Sequence, residues 1–281
     1  MNDEHRQTRR RFHAAAANYD RHAAVATEVA GRLIERLDGL RFDPRRILDL
    51  GCGTGRQARA LHERFPNSHI LAADPARGML ERARRQRGRW RRRFELIEAD
   101  AESLPVADGS IDLVFANMVL EWCRDPDRVL QELRRVLCPG GLLLMATIGP
   151  DTHRELHQIL AGDFHAMTTG NVIHAMRLGD LLMRTGFLEP VVDSDWLTTT
   201  HPDLDSLLAD LRHTGTDLPP SIDMDQLATA FPATAGDGNE YSLTWEIVYA
   251  SAWAPEEGQP IRTDQGEVAS ISAMNIPVRR R

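Results

Sequence analysis

From residue 46 to residue 150 the chain alternates short apolar runs with stretches whose apolar residues recur at helical spacing. Residues 47–50, 70–73, 94–99, 111–116 and 142–147 read as strands. Near-continuous apolar runs of this length suit strands buried on both faces. Amphipathic stretches near 56–65, 76–88 and 126–137 read as the helices between them. Such alternation implies an α/β fold, a mostly parallel sheet with right-handed crossovers. Pro139-Gly140-Gly141 reads as a turn before the fifth strand. Upstream, 9–40 reads as helical, with Val25, Val29, Leu33 and Leu37 on one stripe.

Past Gly149 the alternation weakens. Residues 151–161 and 177–185 read as helices, the second closed by Gly186. Residues 191–199 are strand-like, and 204–231 read as helical with breaks at Gly215 and Pro219-Pro220. The aromatic and β-branched run 241–253 reads as a late strand, and the tail from Pro255 as loosely ordered. The expected division is a helical flap (1–40), a core (41–150), lid helices with the last strands (151–254) and a tail (255–281).

Composition narrows the class. A chain of 281 residues, 42% hydrophobic and 27% charged, has the make-up of a globular protein with a sizeable core. Three cysteines make no disulfide framework and point to a reducing, cytoplasmic setting. No apolar run reaches membrane-spanning length, and the first residues are polar and Arg-rich. Every basic residue is Arg: 22 against 14 acidic residues in the first hundred, 12 against 27 thereafter. The basic half can steer an acidic partner or simply solvate helix faces. The run RRQRGRWRRR at 84–93 raises an RNA reading, which the net charge of −7 and the lack of an RNA-binding module oppose.

The candidate chemistry lies at strand ends. Asp49-Leu50-Gly51-Cys52-Gly53-Thr54-Gly55 follows the first strand and opens a helix. Glycines there permit a sharp turn and close approach of a ligand, and the helix start offers free N–H donors. The spacing is neither a dinucleotide fingerprint nor a phosphate loop of nucleotide hydrolases. Asp74 ends the second strand, where an acid can accept from both ribose hydroxyls. Asp100-Ala101 follows the third, where a carboxylate and an amide can address an adenine ring that Met79 and Leu104 could sandwich. Asn117 and Trp122 follow the fourth. Each residue has a plain structural alternative: a turn, a cap or core. Three successive strand ends nonetheless assemble one adenosine site. The histidines and cysteines show no metal-ligand spacing.

ILDLGCGTG, ILAADPARGML, EADAESLPVADGSIDLVF and RRVLCPGGLLL together resemble the S-adenosylmethionine-dependent methyltransferases with a Rossmann-like core and a seven-stranded sheet. That resemblance implies that Asp49, Gly51, Gly53, Gly55, Asp74, Asp100 and Ala101 line the pocket of S-adenosylmethionine; Met79 and Asn117 are expected beside them from their own positions, Asn117 where the acceptor meets the methyl group. A narrower resemblance runs through RRRFHAAAANYDRHAAVATEVAGRLIERL, ANMVLEWCRDPDRVLQELRRVL, GPDTHREL, DLRHTG and YSLTWEIVYASAW, and is to the malonyl-acyl-carrier-protein O-methyltransferases of biotin synthesis. It implies methylation of the free carboxylate of a malonyl thioester on carrier protein or coenzyme A, priming pimeloyl synthesis, without metal, nucleic acid or membrane. A small-metabolite (quinone-type) methyltransferase, or a non-methylating assembly factor with hydroxylase activity, stands as the alternative on this fold.

A malonyl carboxylate is ionised at neutral pH and needs no base. It needs a clamp that aligns it with the departing sulfur. Tyr19, Arg212 in DLRHTG and Arg154 in GPDTHREL are the expected donors, each with packing or a solvated surface position as its alternative. Segments 6–11 and 84–93 are expected to help dock the acidic carrier protein.

Overall fold

The computed structural model describes residues 3–88, 93–159, 172–214, 227, 231 and 241–259, and the backbone of 261–263 and 266–268. The centre of the molecule is a seven-stranded sheet in the order β3-β2-β1-β4-β5-β7-β6. Its strands are β1 (Arg46–Leu50), β2 (His69–Asp74), β3 (Glu95–Glu98), β4 (Ile111–Asn117), β5 (Leu137–Ile148), β6 (Leu188–His201) and β7 (Tyr241–Trp253). The first five run parallel; β7 is antiparallel to both β5 and β6, between which it lies.

The near-continuous apolar runs are explained by where these strands sit. In β1, Ile47 faces one buried cluster while Leu48 and Leu50 face the other. The first cluster packs α3 (Ala24–Glu35), α4 (Arg56–Arg64) and α5 (Arg77–Gln86) on the sheet through Val29, Leu33, Leu61 and Ala83. The opposite face carries α6 (Pro126–Val136) and α8 (Ala175–Arg184) through Leu130, Leu133, Leu178 and Leu182. A leucine as fully buried as Leu33 stabilises the fold by about 2 kcal/mol. Helix starts and stops are local: the Asp125 side chain caps α6 through the Arg128 N–H (3.1 Å), ahead of Pro126 at the first turn. Gly186 at φ +87° closes α8, with N–H bonds from Gly186 to Met183 and from Phe187 to Leu182, both 3.0 Å.

Three expectations change. The segment 9–40 is three helices rather than one: α1 (Asp3–Ala15), α2 (Tyr19–His22) and α3. An Ala-rich run has every local reason to stay helical, but the chain breaks after Ala15, and Asp20 in the next helix accepts from Thr54 Oγ1 (2.6 Å) in the glycine loop. Pro139-Gly140-Gly141 is no turn ahead of β5 but a bulge inside it, with Gly140 at φ +70° and the β4–β5 register shifting between Ile111 and Leu113. Within the tail, β8 (Ile261–Thr263) and β9 (Gly266–Val268) form an antiparallel pair. The predicted helix at 151–161 is α7 (Arg154–Ile159), and that at 204–231 begins as α9 (Leu204–His213); most of its remainder, and residues 89–92 of the arginine run, lie outside the described residues. Among the described residues no helix is long and apolar enough to cross a membrane.

Candidate active site

Strand order reverses between β1 and β4, since β2 and β3 extend the sheet to one side of β1 and β4 lies on the other. A crevice opens there at the carboxyl ends of the strands, the usual ligand position in open α/β sheets. Loop 51–55 leaves β1 into it with Gly51, Gly53 and Gly55 at φ +66°, +52° and +84°. A Cβ on Gly51 would stand 2.5 Å from Val119 Cγ2, and one on Gly55 2.9 Å from Ala83 Cβ. At Gly53 the nearest atom would be Tyr19 Cε1 at 4.0 Å, so the loop is open toward the cleft.

Asp74 ties this loop down. Its Oδ2 accepts the Gly53 N–H (2.9 Å) and its Oδ1 the Ala76 N–H (2.7 Å). Burial pushes its carboxyl up to about 6, with the two amides and Arg9 pulling the other way. Asp49 is also buried, its carboxyl raised well above the usual range by burial and by Asp74, and its Oδ2 has no partner among the described residues. Asn117 Nδ2 donates to Ala26 O (2.9 Å), while its buried Oδ1 likewise lacks a partner. Asp49, Asn117, Gly51, Gly53 and Tyr19 surround one small pocket. Two buried acceptors without donors there fit a ligand ammonium group. Asp100, Ala101 and Met79 line the larger adjoining cleft. Met79 also packs against Phe12 of α1 and Ala16 just past it, so it is both core and cleft wall. Leu104 belongs to the core on the α6 side rather than to the cleft lining.

The cleft continues past residues of α1, α2 and α9, about 1420 Å³ of space including the open solvent at its mouth. Phe12 meets Trp122 edge-on at 5.1 Å. Tyr19 lies in the wall, its phenol held neutral by burial and by the carboxyls of Asp74, Glu121 and Asp20. His22 of α2 stacks on His213 of α9 (4.0 Å) and bonds Asp210 Oδ1 through Nδ1 (2.5 Å), joining α2 to α9.

The two arginines expected as clamps lie elsewhere. Leu204, Leu207, Leu208 and Leu211 turn the apolar face of α9 inward, which puts Arg212 on the outer, exposed side. Arg154 is 56% exposed and pairs with Glu155. Neither lines the cleft; Arg9 of α1 is the one arginine among the described residues that does. Sequence reasoning passed over Glu121, in a 3-10 turn (Leu120–Trp122) just past β4. It is 2% exposed, and its only sequence signal is a lone acid inside the apolar run MVLEWC. Among the described residues no group of three or more His, Cys, Asp or Glu could hold a metal ion.

A reversed parallel sheet, a three-glycine loop stapled by an acid, and orphaned acceptors beside it define the class, the S-adenosylmethionine-dependent methyltransferases. A family model described as a methyltransferase domain matches residues 48–145. Solved structures share the fold: a putative methyltransferase from Bacillus halodurans (TM-score 0.57, 20% identical, 80% of this chain and 98% of that one) and the cyclase SpnF (TM-score 0.53, 23% identical, 82% and 81%). Malonyl-acyl-carrier-protein O-methyltransferases match over nearly the whole length: that of Xylella fastidiosa is 39% identical over 97% of this chain and 96% of its own, and that of Halorhodospira halophila 35% over 99% and 97%. The chain belongs to the malonyl-acyl-carrier-protein O-methyltransferase family.

Proposed function

We propose that the protein transfers a methyl group from S-adenosylmethionine to the free carboxylate of malonyl-acyl-carrier protein, the ester that primes pimeloyl synthesis for biotin. One observation carries this reading. The likeness to the Xylella protein spans 97% of the chain, so it includes the flap, lid and last strands that shape the acceptor side, not the core alone. The core by itself does not choose a reaction, since a cyclase shares it.

The cofactor, when bound, supplies an electrophilic methyl group on a sulfonium. Asp74 would accept from the ribose hydroxyls, Asp100 and the Ala101 N–H would address the adenine, and Met79 would pack on the ring. The orphaned oxygens of Asp49 and Asn117 would take the ammonium group, and the loop Gly51–Gly53–Gly55 would let the ligand lie against backbone. Tyr19, kept as a neutral phenol, donates to the acceptor carboxylate. Trp122, closed over by Phe12, walls the site against water. Arg154 and Arg212, outside the cleft, serve at most the surface where carrier protein docks.

Charge supports the docking. α1 lies against α5, with the Gly78 N–H donating to His13 Nδ1 (2.9 Å), and Arg10, Arg84 and Arg85 on these two helices are exposed. These exposed arginines are the charges offered to an acidic carrier. Intact-mass analysis of malonyl-carrier protein after incubation with the protein and S-adenosylmethionine tests the reading. The expected result is a gain of one methyl on the malonyl form and none on acetyl-carrier protein. No gain on either, with cofactor binding intact, would reject this acceptor.

A further inference from the structure

Glu121 is a buried acid that the mechanism so far leaves unused. Its Oε2 accepts from Thr147 Oγ1 of β5 at 3.0 Å. Its Oε1 is buried and has no partner among the described residues, although the side chain stands in the cleft wall between Asn117 and Trp122. A glutamate kept only for the fold would have both oxygens satisfied.

The titratable groups that share this cleft with it are Tyr19 and His22 of α2, Asp74 at the end of β2, Asp100 past β3, Cys123 just past its own turn, His153 past β5, His201 at the end of β6, Asp210 of α9 and Arg9 of α1. The one arginine among them, Arg9, already pairs with Glu98 and acts on Asp74, and His22 and His201 both lie against Asp210 rather than Glu121. Burial holds the His153 imidazole down to about 3, hence neutral, and holds the Cys123 thiol up. Only the Thr147 hydroxyl and Glu121's own backbone N–H favour a carboxylate; burial outweighs both and raises its carboxyl to about 7.

We infer that Glu121 holds the acceptor as a neutral acid, its Oε1–H donating a hydrogen bond to one oxygen of the malonyl carboxylate, with the Tyr19 hydroxyl as the second donor. This rests on the carboxylate-acceptor reading above. An incoming anion pushes the same proton more firmly onto Glu121, as when two carboxyls share one site. The arrangement also sets specificity. A carboxylate is a strong acceptor for an acid's proton, an acetyl group offers none at that position, and the methyl ester product is a weaker one and leaves. No bond to Glu121 forms or breaks in the transfer.

The test uses the full chain and malonyl-carrier protein, with methyl transfer followed by intact mass from pH 6 to 8.5. For the wild type, KM is expected to rise on the order of tenfold per pH unit once Glu121 ionises, with a smaller change in kcat. Glu121→Leu removes the donor and should raise KM about 10- to 100-fold at pH 6.5. Glu121→Gln keeps a donor that cannot ionise; it should recover most of the KM lost in Glu121→Leu and abolish the pH slope. Calorimetric S-adenosylmethionine binding within about threefold of wild type shows that each variant is folded with its cofactor site intact. If the wild type methylates malonyl-carrier protein but Glu121→Gln keeps the wild-type pH slope, or Glu121→Leu keeps the wild-type KM, Glu121 is not the donor and the carboxylate-acceptor reading survives. If the wild type binds cofactor and methylates nothing, that reading fails and this inference falls with it.

Discussion

Asp74 Oδ2 accepts the Gly53 N–H at 2.9 Å, so the acid at the end of β2 is also the staple that shapes the glycine loop after β1. Its other oxygen is committed to Ala76. Asp74→Asn therefore cannot be neutral: whichever way the amide turns, its NH₂ meets a backbone donor. We expect S-adenosylmethionine to bind about 10- to 100-fold more weakly in this variant, measured by calorimetry. In the wild type, affinity should also decline as pH falls through about 6, where Asp74 takes up a proton and loses acceptor capacity. An unchanged Kd in the variant would remove Asp74 from the cofactor site.

Gly51→Ala meets two independent obstacles. Its φ of +66° is costly for any residue with a Cβ, and that Cβ would lie 2.5 Å from Val119 Cγ2. A loss of about 2–3 kcal/mol of stability, read from urea unfolding, is expected. Val119→Ala placed with it should recover the steric part only. Full recovery would show that backbone conformation contributes nothing there.

Burial of Glu121 has a thermodynamic consequence apart from its contact with acceptor. Its carboxyl stands at about 7 in the folded chain against an ordinary 4.5, so the folded state binds the extra proton between those values. Stability contributed by this site is lost as pH rises through that window. Glu121→Gln, which never ionises and can still accept from Thr147, should match the wild type near pH 4. Above pH 7 it should exceed it by on the order of 2–3 kcal/mol. Equal denaturation midpoints for the two proteins at pH 5 and pH 8 would contradict a neutral buried acid.

The exposed arginines of α1 and α5 are separable from the chemistry. Replacing Arg10, Arg84 and Arg85 by Ser should lower kcat/KM on malonyl-carrier protein by about tenfold at low salt and flatten its dependence on ionic strength. Turnover of malonyl-coenzyme A, which lacks the carrier, should change much less. A parallel loss on both acceptors would place these arginines in the fold rather than in docking.

Much of the core was legible because its signals are local. Continuous apolar runs marked β1, β2 and β4 nearly to their ends, and the aromatic and β-branched run at 241–253 has the bounds of β7. Glycine spacing located the loop 51–55, whose three positive φ values require it. What failed depended on contacts between distant segments. No propensity in AAAANYD announces the break that brings Asp20 to Thr54, nor does any motif say that Leu211 turns inward and carries Arg212 out. Glu121 was missed because its meaning lies in an absent partner, which a sequence does not record.

The order of strands also bears on how the molecule is made. β7 is the last of the sheet's strands in the chain yet an interior one, hydrogen-bonded on both sides. Until residues 241–253 have been synthesised, β5 presents an open edge and the long β6 has nothing to pair with. Both are exposed hydrogen-bonding templates of the kind that draw chains into aggregates. Closing the sheet then demands contacts of large sequence separation, which are slow to form. A chain stopped short of residue 241 thus keeps the motifs of the first 150 residues and carries two unsealed edges, a hazard to itself during translation long before any question of catalysis arises.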